Sequence, residues 1–174
     1  SFYRRLDLQY VPPELRVGIN ELSMAEKHML PHLIEENDLK GDLHIHTDWS
    51  DGRDSMEAMV KIAAELGYEY IAITDHSAGL GVAHGLSVDR LESHINNLRN
   101  LQEKFSIRIL CGSEVDIRAD GSLDYPDEIL DKLDVVVASI HSAMGQDSVR
   151  MTSRLKRAMN HKSVTMIGHL STRI

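Results

Sequence analysis

Asp42-Leu43-His44-Ile45-His46 and Tyr70-Ile71-Ala72-Ile73-Thr74-Asp75-His76 are short apolar runs that each close on histidine. Three further runs share their texture: Ile107–Val115, Val135–His141 and Val164–His169. All are brief and rich in Ile and Val, as strands buried on both faces are. Helical periodicity fills the gaps between them. Residues 54–67 carry Met56, Met59, Val60, Ala63 and Leu66 on one face, with Asp54 and Glu57 spaced as a capping box and Gly67 as the stop. Residues 87–104 repeat the pattern with Val88, Leu91, Ile95, Leu98 and Leu101, and residues 147–160 with Met151, Leu155, Ala158 and Met159 behind an Asp147 or Ser148 cap. A shorter helix fits residues 125–132. Strand alternating with helix gives βαβ units and a parallel sheet, an α/β fold, and five units fit into residues 41–169.

The polar residues on these runs recur at one relative position. His44 and His46 are two apart, so a strand turns both imidazoles to one face. His76, Glu114, His141 and His169 follow His46 at intervals of 30, 38, 27 and 28 residues, each about one βα repeat. In a parallel barrel the C-terminal strand ends converge on one rim, where active sites are built. Several imidazoles with one carboxylate suit borderline cations such as zinc or manganese. Asp51, on the loop after the first strand, reaches the same rim, and Glu114 can bridge two cations with its two oxygens. A lone histidine is ordinarily a core or surface group, and His28, His32, His84, His94 and His161 are read that way, although His84, in a glycine-rich loop after the second strand, could approach the rim. Asp75 is either an orienting partner for the site or a polar group at a strand end.

Composition bounds the rest. The chain has 174 residues and a formal charge of −8, and its composition, 42% hydrophobic and 26% charged, is that of a globular domain. The acidic total argues against non-specific nucleic-acid binding over the whole surface. Cys111 is the single cysteine, which excludes a disulfide framework and any CxxC zinc site. There is no run of 18 apolar residues and no signal-peptide pattern, so a cytoplasmic protein away from membranes is expected. Residues 1–40, broken by Pro12-Pro13 and Pro31, read as an interdomain linker or arm, and residues 41–174 as the domain proper. Residues 141–174 are basic. There Arg150, Arg154 and Arg157 fall on one helical face, either solvated or contacting phosphate. There is no phosphate-loop pattern, dinucleotide fingerprint or nucleophile elbow.

Leu43-His44-Ile45-His46-Thr47 followed by Ser50-Asp51-Gly52, then Thr74-Asp75-His76, Gly112-Ser113-Glu114, Ser139-Ile140-His141-Ser142 and Gly168-His169, resemble the successive motifs of the polymerase and histidinol phosphatase (PHP) family. The arm narrows the resemblance. Pro12-Pro13-Glu14-Leu15-Arg16, Leu30-Pro31 and Lys40-Gly41-Asp42 look like the segment joining polymerase and PHP domains in bacterial and archaeal family-X DNA polymerases. The resemblance implies a distorted (β/α)7 barrel, of which about five βα units are present here, so an incomplete barrel. It implies two or three manganese, zinc or iron ions on His44, His46, Asp51, His76, Glu114, His141 and His169. The family's final Asp-x-His pair is absent, and Leu170 stands where a proline is usual.

The activity expected is hydrolysis of phosphoesters at DNA 3′ ends: 3′–5′ exonuclease, 3′-phosphatase or abasic-site processing. His44, His46, Glu114 and His141 are its catalytic core, and Arg150 or Arg173 binds a flanking phosphate. Its partners are DNA ends and the polymerase domain of the same natural chain, with self-association through exposed sheet edges. Three alternatives compete. One is a histidinol-phosphatase-like enzyme acting on small phosphomonoesters. Another is a non-catalytic module supporting a polymerase. The third, an amidohydrolase, would want a strand-end lysine, and no run ends in one.

Overall fold

Prolines divide the arm into short pieces. In the computed structural model, which describes residues 2–169, the arm holds helix α1 (Phe2–Arg5), a 3-10 turn at Pro13–Leu15, helix α2 (Glu21–Glu26) and a second 3-10 turn at Glu36–Asp38. Residues to Leu39 form one compact unit, within which the Tyr3 and Tyr10 rings meet edge to face and Gln9 Oε1 accepts from the Leu30 amide.

The second unit begins at Lys40. Every apolar run read as a strand contains one: β1 (Gly41–Ile45), β2 (Tyr70–Ile73), β3 (Arg108–Asp116), β4 (Val135–Ser139) and β5 (Met166–Ile167). All neighbours are parallel, in the order β1-β2-β3-β4-β5. The strands form a curled half-barrel, the incomplete PHP-type barrel expected. Crossovers of one hand in a sequential parallel sheet leave the helices on a single face. These are α3 (Met56–Glu65), α4 (Val88–Gln102), α5 (Asp127–Leu130) and α6 (Ser148–Met159).

Their apolar stripes cover the sheet's outer face. Val60, Leu91, Ile95 and Leu98 pack with Ile71, Ile73, Ile109 and Val136 in one buried cluster. Each such large side chain contributes about 1.5–3 kcal/mol of transfer free energy when fully buried. The inner face is different. Leu110, Gly112, Glu114 and Asp116 alternate onto it with period two. At its N-terminal end Leu110 packs with Ala72, Val135 and Val137; at its C-terminal end stands Glu114. The inner face thus runs from aliphatic to polar toward the strand ends.

Two details depart from the sequence reading. Helix α3 is capped by Ser55, whose side chain accepts from the Ala58 amide, and not by Asp54; the α6 cap is Asp147, one of the two residues expected there, which accepts from the Val149 and Arg150 amides. Strands β1, β2, β4 and β5 also end sooner than their apolar runs do, whereas β3 runs one residue past its own. Beyond Ile73 the ladder gives way to an irregular crossing in which the Glu114 amide donates to both Thr74 O and Asp75 O. His46, His76, His141 and His169 therefore stand on the loops just past β1, β2, β4 and β5, while His44 and Glu114 lie within strands. Among the described residues no helix is long and apolar enough to cross a membrane.

Candidate metal centre

Glu114 is the floor of the site, its side chain 1% exposed. Three imidazoles approach Oε2: His44 Nε2 at 3.1 Å, His46 Nε2 at 3.3 Å and His76 Nδ1 at 3.2 Å. Two approach Oε1: His141 Nε2 at 3.3 Å and His169 Nε2 at 2.8 Å. The five rings also contact one another in a closed circuit. His44–His46, His46–His76, His76–His141, His141–His169 and His169–His44 have centroids 5.1, 4.3, 5.2, 5.7 and 5.5 Å apart. Asp51 stands over one side of this circuit, 3.7 Å from His46 Nδ1 and 3.5 Å from His76 Nε2. The half-exposed side chains of Asp51 and His169 mark the open mouth.

The loop carrying Asp51 is folded back tightly on β1. Gly52 N donates to Thr47 O, and a Cβ on Gly52 would lie 2.6 Å from the His46 carbonyl oxygen. Only glycine lets the chain pass there, so the Ser50-Asp51-Gly52 sequence is a steric requirement for placing Asp51 beside His46.

The electrostatics follow from one buried carboxylate among many imidazoles. Burial pushes the Glu114 carboxyl up, but contacts from His141, His44, His46 and Ser139 hold it far below the usual carboxylate range. His141 is raised to about 9, first by its 2.5 Å hydrogen bond from Nδ1 to Asp116 and then by Glu114. Burial pulls His46 down, yet Glu114 and Asp51 raise it overall; in His76 burial prevails, helped by the charges on His46 and His141. Asp116 thereby fixes the orientation of His141 and turns Nε2 toward Glu114, the carboxylate–histidine relay that tunes metal ligands.

The donor set fits divalent cations. Among the described residues, His44 Nε2, His46 Nδ1, His76 Nδ1 and Glu114 Oε2 are buried without an aligned hydrogen-bond partner, although the rings stand within 3.3 Å of the carboxylate. Buried polar atoms ordinarily have such partners. Three sets could each hold an ion with nitrogen and oxygen ligands: His44–His46–Glu114, His46–Asp51–His76 and His76–Glu114–His141. Glu114 belongs to two of them, so it can bridge. Imidazole with carboxylate suits zinc, manganese or iron and not the all-oxygen shells preferred by calcium or magnesium.

Of the residues singled out in the sequence, His44, His46, Asp51, His76, Glu114, His141 and His169 are brought together. Arg150 stands exposed on the first turn of α6, its Nε 3.4 Å from Asp147. Arg173 lies outside the described residues. The single arginine face on α6 is not formed. Arg154 is buried and donates to Ser142 O and Ile117 O, whereas Arg157 reaches outward to Asp120. Arg154 occupies the apolar stripe, three residues after Met151 and four before Ala158, and burial there needs polar partners. Two residues the sequence reading left aside bear on the site. Asp116 lies two residues beyond Glu114, on the same strand face. His94 is fully buried, and its Nε2 donates to Asp75.

A curled parallel half-barrel with imidazoles and carboxylates converging at its C-terminal mouth defines a class of α/β domains equipped to hold metal ions. Within that class the chain belongs to the PHP domain family, whose model matches residues 42–172. It is 41% identical, over its whole length, to the DNA polymerase/3′-5′ exonuclease PolX of Bacillus subtilis, of which it covers 30%. Over 74% of its length it is 34% identical to a probable phosphatase of Thermoanaerobacter sp., covering 52% of that protein. A shorter match, 31% identical over 74 residues, is to a phosphoribosyl 1,2-cyclic phosphate 1,2-diphosphodiesterase of Eggerthella lenta.

Proposed function

We propose that the chain is a metal-dependent phosphoesterase that hydrolyses phosphoesters at DNA 3′ ends, as the PHP part of a family-X DNA polymerase. The observation that carries this reading is the closed circuit of five imidazoles around Glu114, whose two oxygens face different histidine sets. Bound manganese, zinc or iron would supply Lewis acidity and a water acidic enough to attack phosphorus at neutral pH. The protein's own contribution is placement. Glu114 and the histidines would hold the ions, Asp116 keeps His141 Nε2 turned inward, and Asp51 and His169 flank the mouth by which a phosphoester would enter. In-line displacement asks for little covalent chemistry from the chain, consistent with the lack of a nucleophile elbow. In this reading Arg150 and Arg173 contact a flanking phosphate, and a polymerase domain is the partner within the natural chain. Among the described residues β1 and β5 are the outer strands, and a second copy would pair there.

DNA is favoured over a small phosphomonoester because the PolX match includes residues 1–40, whereas the Thermoanaerobacter match covers 74% of the chain. The discriminating assay is manganese-dependent hydrolysis by this chain of 3′-ended oligonucleotides beside a free phosphomonoester. Cleavage or dephosphorylation of DNA ends at the higher kcat/KM is expected. A preference for the free ester would overturn the DNA assignment in favour of the small-molecule reading, and no hydrolysis of either with cations bound would leave a non-catalytic module.

A further inference from the structure

We infer that helix α4 braces the loop between His46 and Asp51 through His94 and Arg90, and that these two are positioning residues for the cation set His46–Asp51–His76. The inference rests on the metal-dependent reading above.

The loop in question, Thr47–Ser50, has a candidate ligand at each end. Its shape is pinned by Asp75, a 1%-exposed carboxylate next to His76. Asp75 Oδ1 accepts from the Thr47 amide at 2.7 Å and Ser50 Oγ at 2.5 Å; Oδ2 accepts from Thr47 Oγ1 at 2.6 Å and His94 Nε2 at 2.8 Å. A carboxylate with four donors is fixed in rotation as well as position. His94 is the donor that comes from outside the two rim loops, and it is fully buried on α4. Its ring also meets Trp49 edge-on, with centroids 5.3 Å apart. One turn earlier on the same helix face, Arg90 donates to Trp49 O on the first loop and to His84 O and Gly85 O on the second. Helix α4 therefore grips the first loop twice, by a side-chain relay and by a backbone carbonyl, without offering an atom to the cation sets.

The brace is selective. The set His76–Glu114–His141 shares His76 with the braced set, but it draws Glu114 from β3 and has His141 held by Asp116, and neither Glu114 nor His141 is reached through Thr47–Ser50. Loosening α4 should therefore weaken cation binding that uses His46 and Asp51 and spare the other set. A merely structural contribution would weaken all cation binding together.

The test is manganese(II) binding to the 174-residue chain, read by equilibrium dialysis with metal quantification and by the spin-resonance spectrum, with circular dichroism as the fold control. His94→Leu fills the volume but removes the donor. It is expected to lower the affinity of one class of manganese sites by about 10–100-fold while another class is unchanged. His94→Gln, whose amide can still donate to Asp75, is expected to recover most of that loss. Arg90→Ala, at an exposed position, is expected to weaken the same class less. Wild-type affinities in His94→Leu, or uniform weakening of every site, would overturn the brace. If His94→Leu does not fold, Arg90→Ala decides, and unchanged affinity there overturns it. A wild-type chain that binds no manganese, zinc or iron would overturn the proposed function itself, a result distinct from the failure of the brace alone.

Discussion

Two buried carboxylates, Glu114 and Asp75, each 1% exposed and each facing histidine, are used in opposite ways. Around Asp75 every contact is an aligned hydrogen bond: a backbone amide, two hydroxyls and one imidazole share its oxygens. Around Glu114 five imidazoles crowd two oxygens, and Oε2 makes no aligned bond with the three that face it. A fully satisfied buried carboxylate is a structural pin, because removing any donor leaves charge unpaired in a low dielectric. A carboxylate with more nitrogen ligands than it can bond is arranged for a third party with positive charge. Burial alone does not separate the two; the alignment of the donors does.

The sharpest way to break the contrast is to neutralise each acid in turn. Glu114→Gln keeps the volume and leaves the helix–sheet core untouched, but it removes the charge shared by two cation sets. Hydrolysis is expected to fall by about 10³-fold or more, the scale of several kcal/mol of lost cation stabilisation. The circular dichroism spectrum should stay that of the parent. Activity within tenfold of wild type would remove Glu114 from the centre of the site.

Asp75→Asn should act first on stability. Whichever way the amide turns, one of its hydrogens meets a donor: the Thr47 amide on one side, His94 Nε2 on the other. About 3 kcal/mol of destabilisation is expected in denaturant titration, the range for breaking a buried charged network. The wild-type acid limb tests the same pin. Burial pushes Asp75 up, but His94, Ser50 and Thr47 outweigh it and hold it at about 2. The folded value lies below the unfolded one, so this contribution is complete above about pH 4 and is lost as pH falls toward 2. In Asp75→Asn that acid-induced loss should shrink. An unaltered acid limb would mean that the network does not hold the Asp75 charge.

How far these regions were legible in the sequence follows from what each depends on. The Glu114 circuit could be read because parallel strands deliver their C-terminal ends to one side, so His46, His76, His141 and His169 at repeat-length intervals must converge. The pin could not be read so directly, because its parts come from a loop, a strand end and a helix that no repeat relates. Signals were nevertheless present. His94 lies three residues after Leu91 and four before Leu98, inside the apolar stripe of α4, and a histidine there must find a buried acceptor. Asp116 shares Glu114's face by strand alternation. Arg154 occupies the stripe of α6 just as His94 does that of α4, which explains why a common exposed arginine face does not form. Where the ladder ends was not legible, because the irregular pairing beyond Ile73 depends on the β3 backbone.

A smaller perturbation tests whether the loop or its ligands matter more. Gly52→Ala places a methyl 2.6 Å from the His46 carbonyl oxygen and 2.7 Å from the Thr47 carbonyl carbon, both backbone atoms that cannot swing aside. The chain must shift, at about 1–3 kcal/mol of overpacking strain. Manganese affinity is expected to drop with it although no candidate ligand has changed. Wild-type stability and affinity would show that the turn tolerates a side chain.

The smallest effect belongs to the far end of the same segment, where Ser55 caps α3. Its Oγ accepts from the Ala58 amide, one of the amides that a helix start leaves without an internal acceptor. Ser55→Ala is expected to lower stability by about 1 kcal/mol, whereas Asp54→Ala, at the position the sequence pattern suggested as cap, should change it by less than about half as much. Neither should alter manganese affinity or hydrolysis, because the cap lies beyond Gly52, outside the Thr47–Ser50 segment that Asp75 pins. Equal losses of stability in the two variants would restore Asp54 as the cap. A loss of cation affinity in Ser55→Ala would show that the start of α3 is coupled to the rim, extending the pinned region past Gly52.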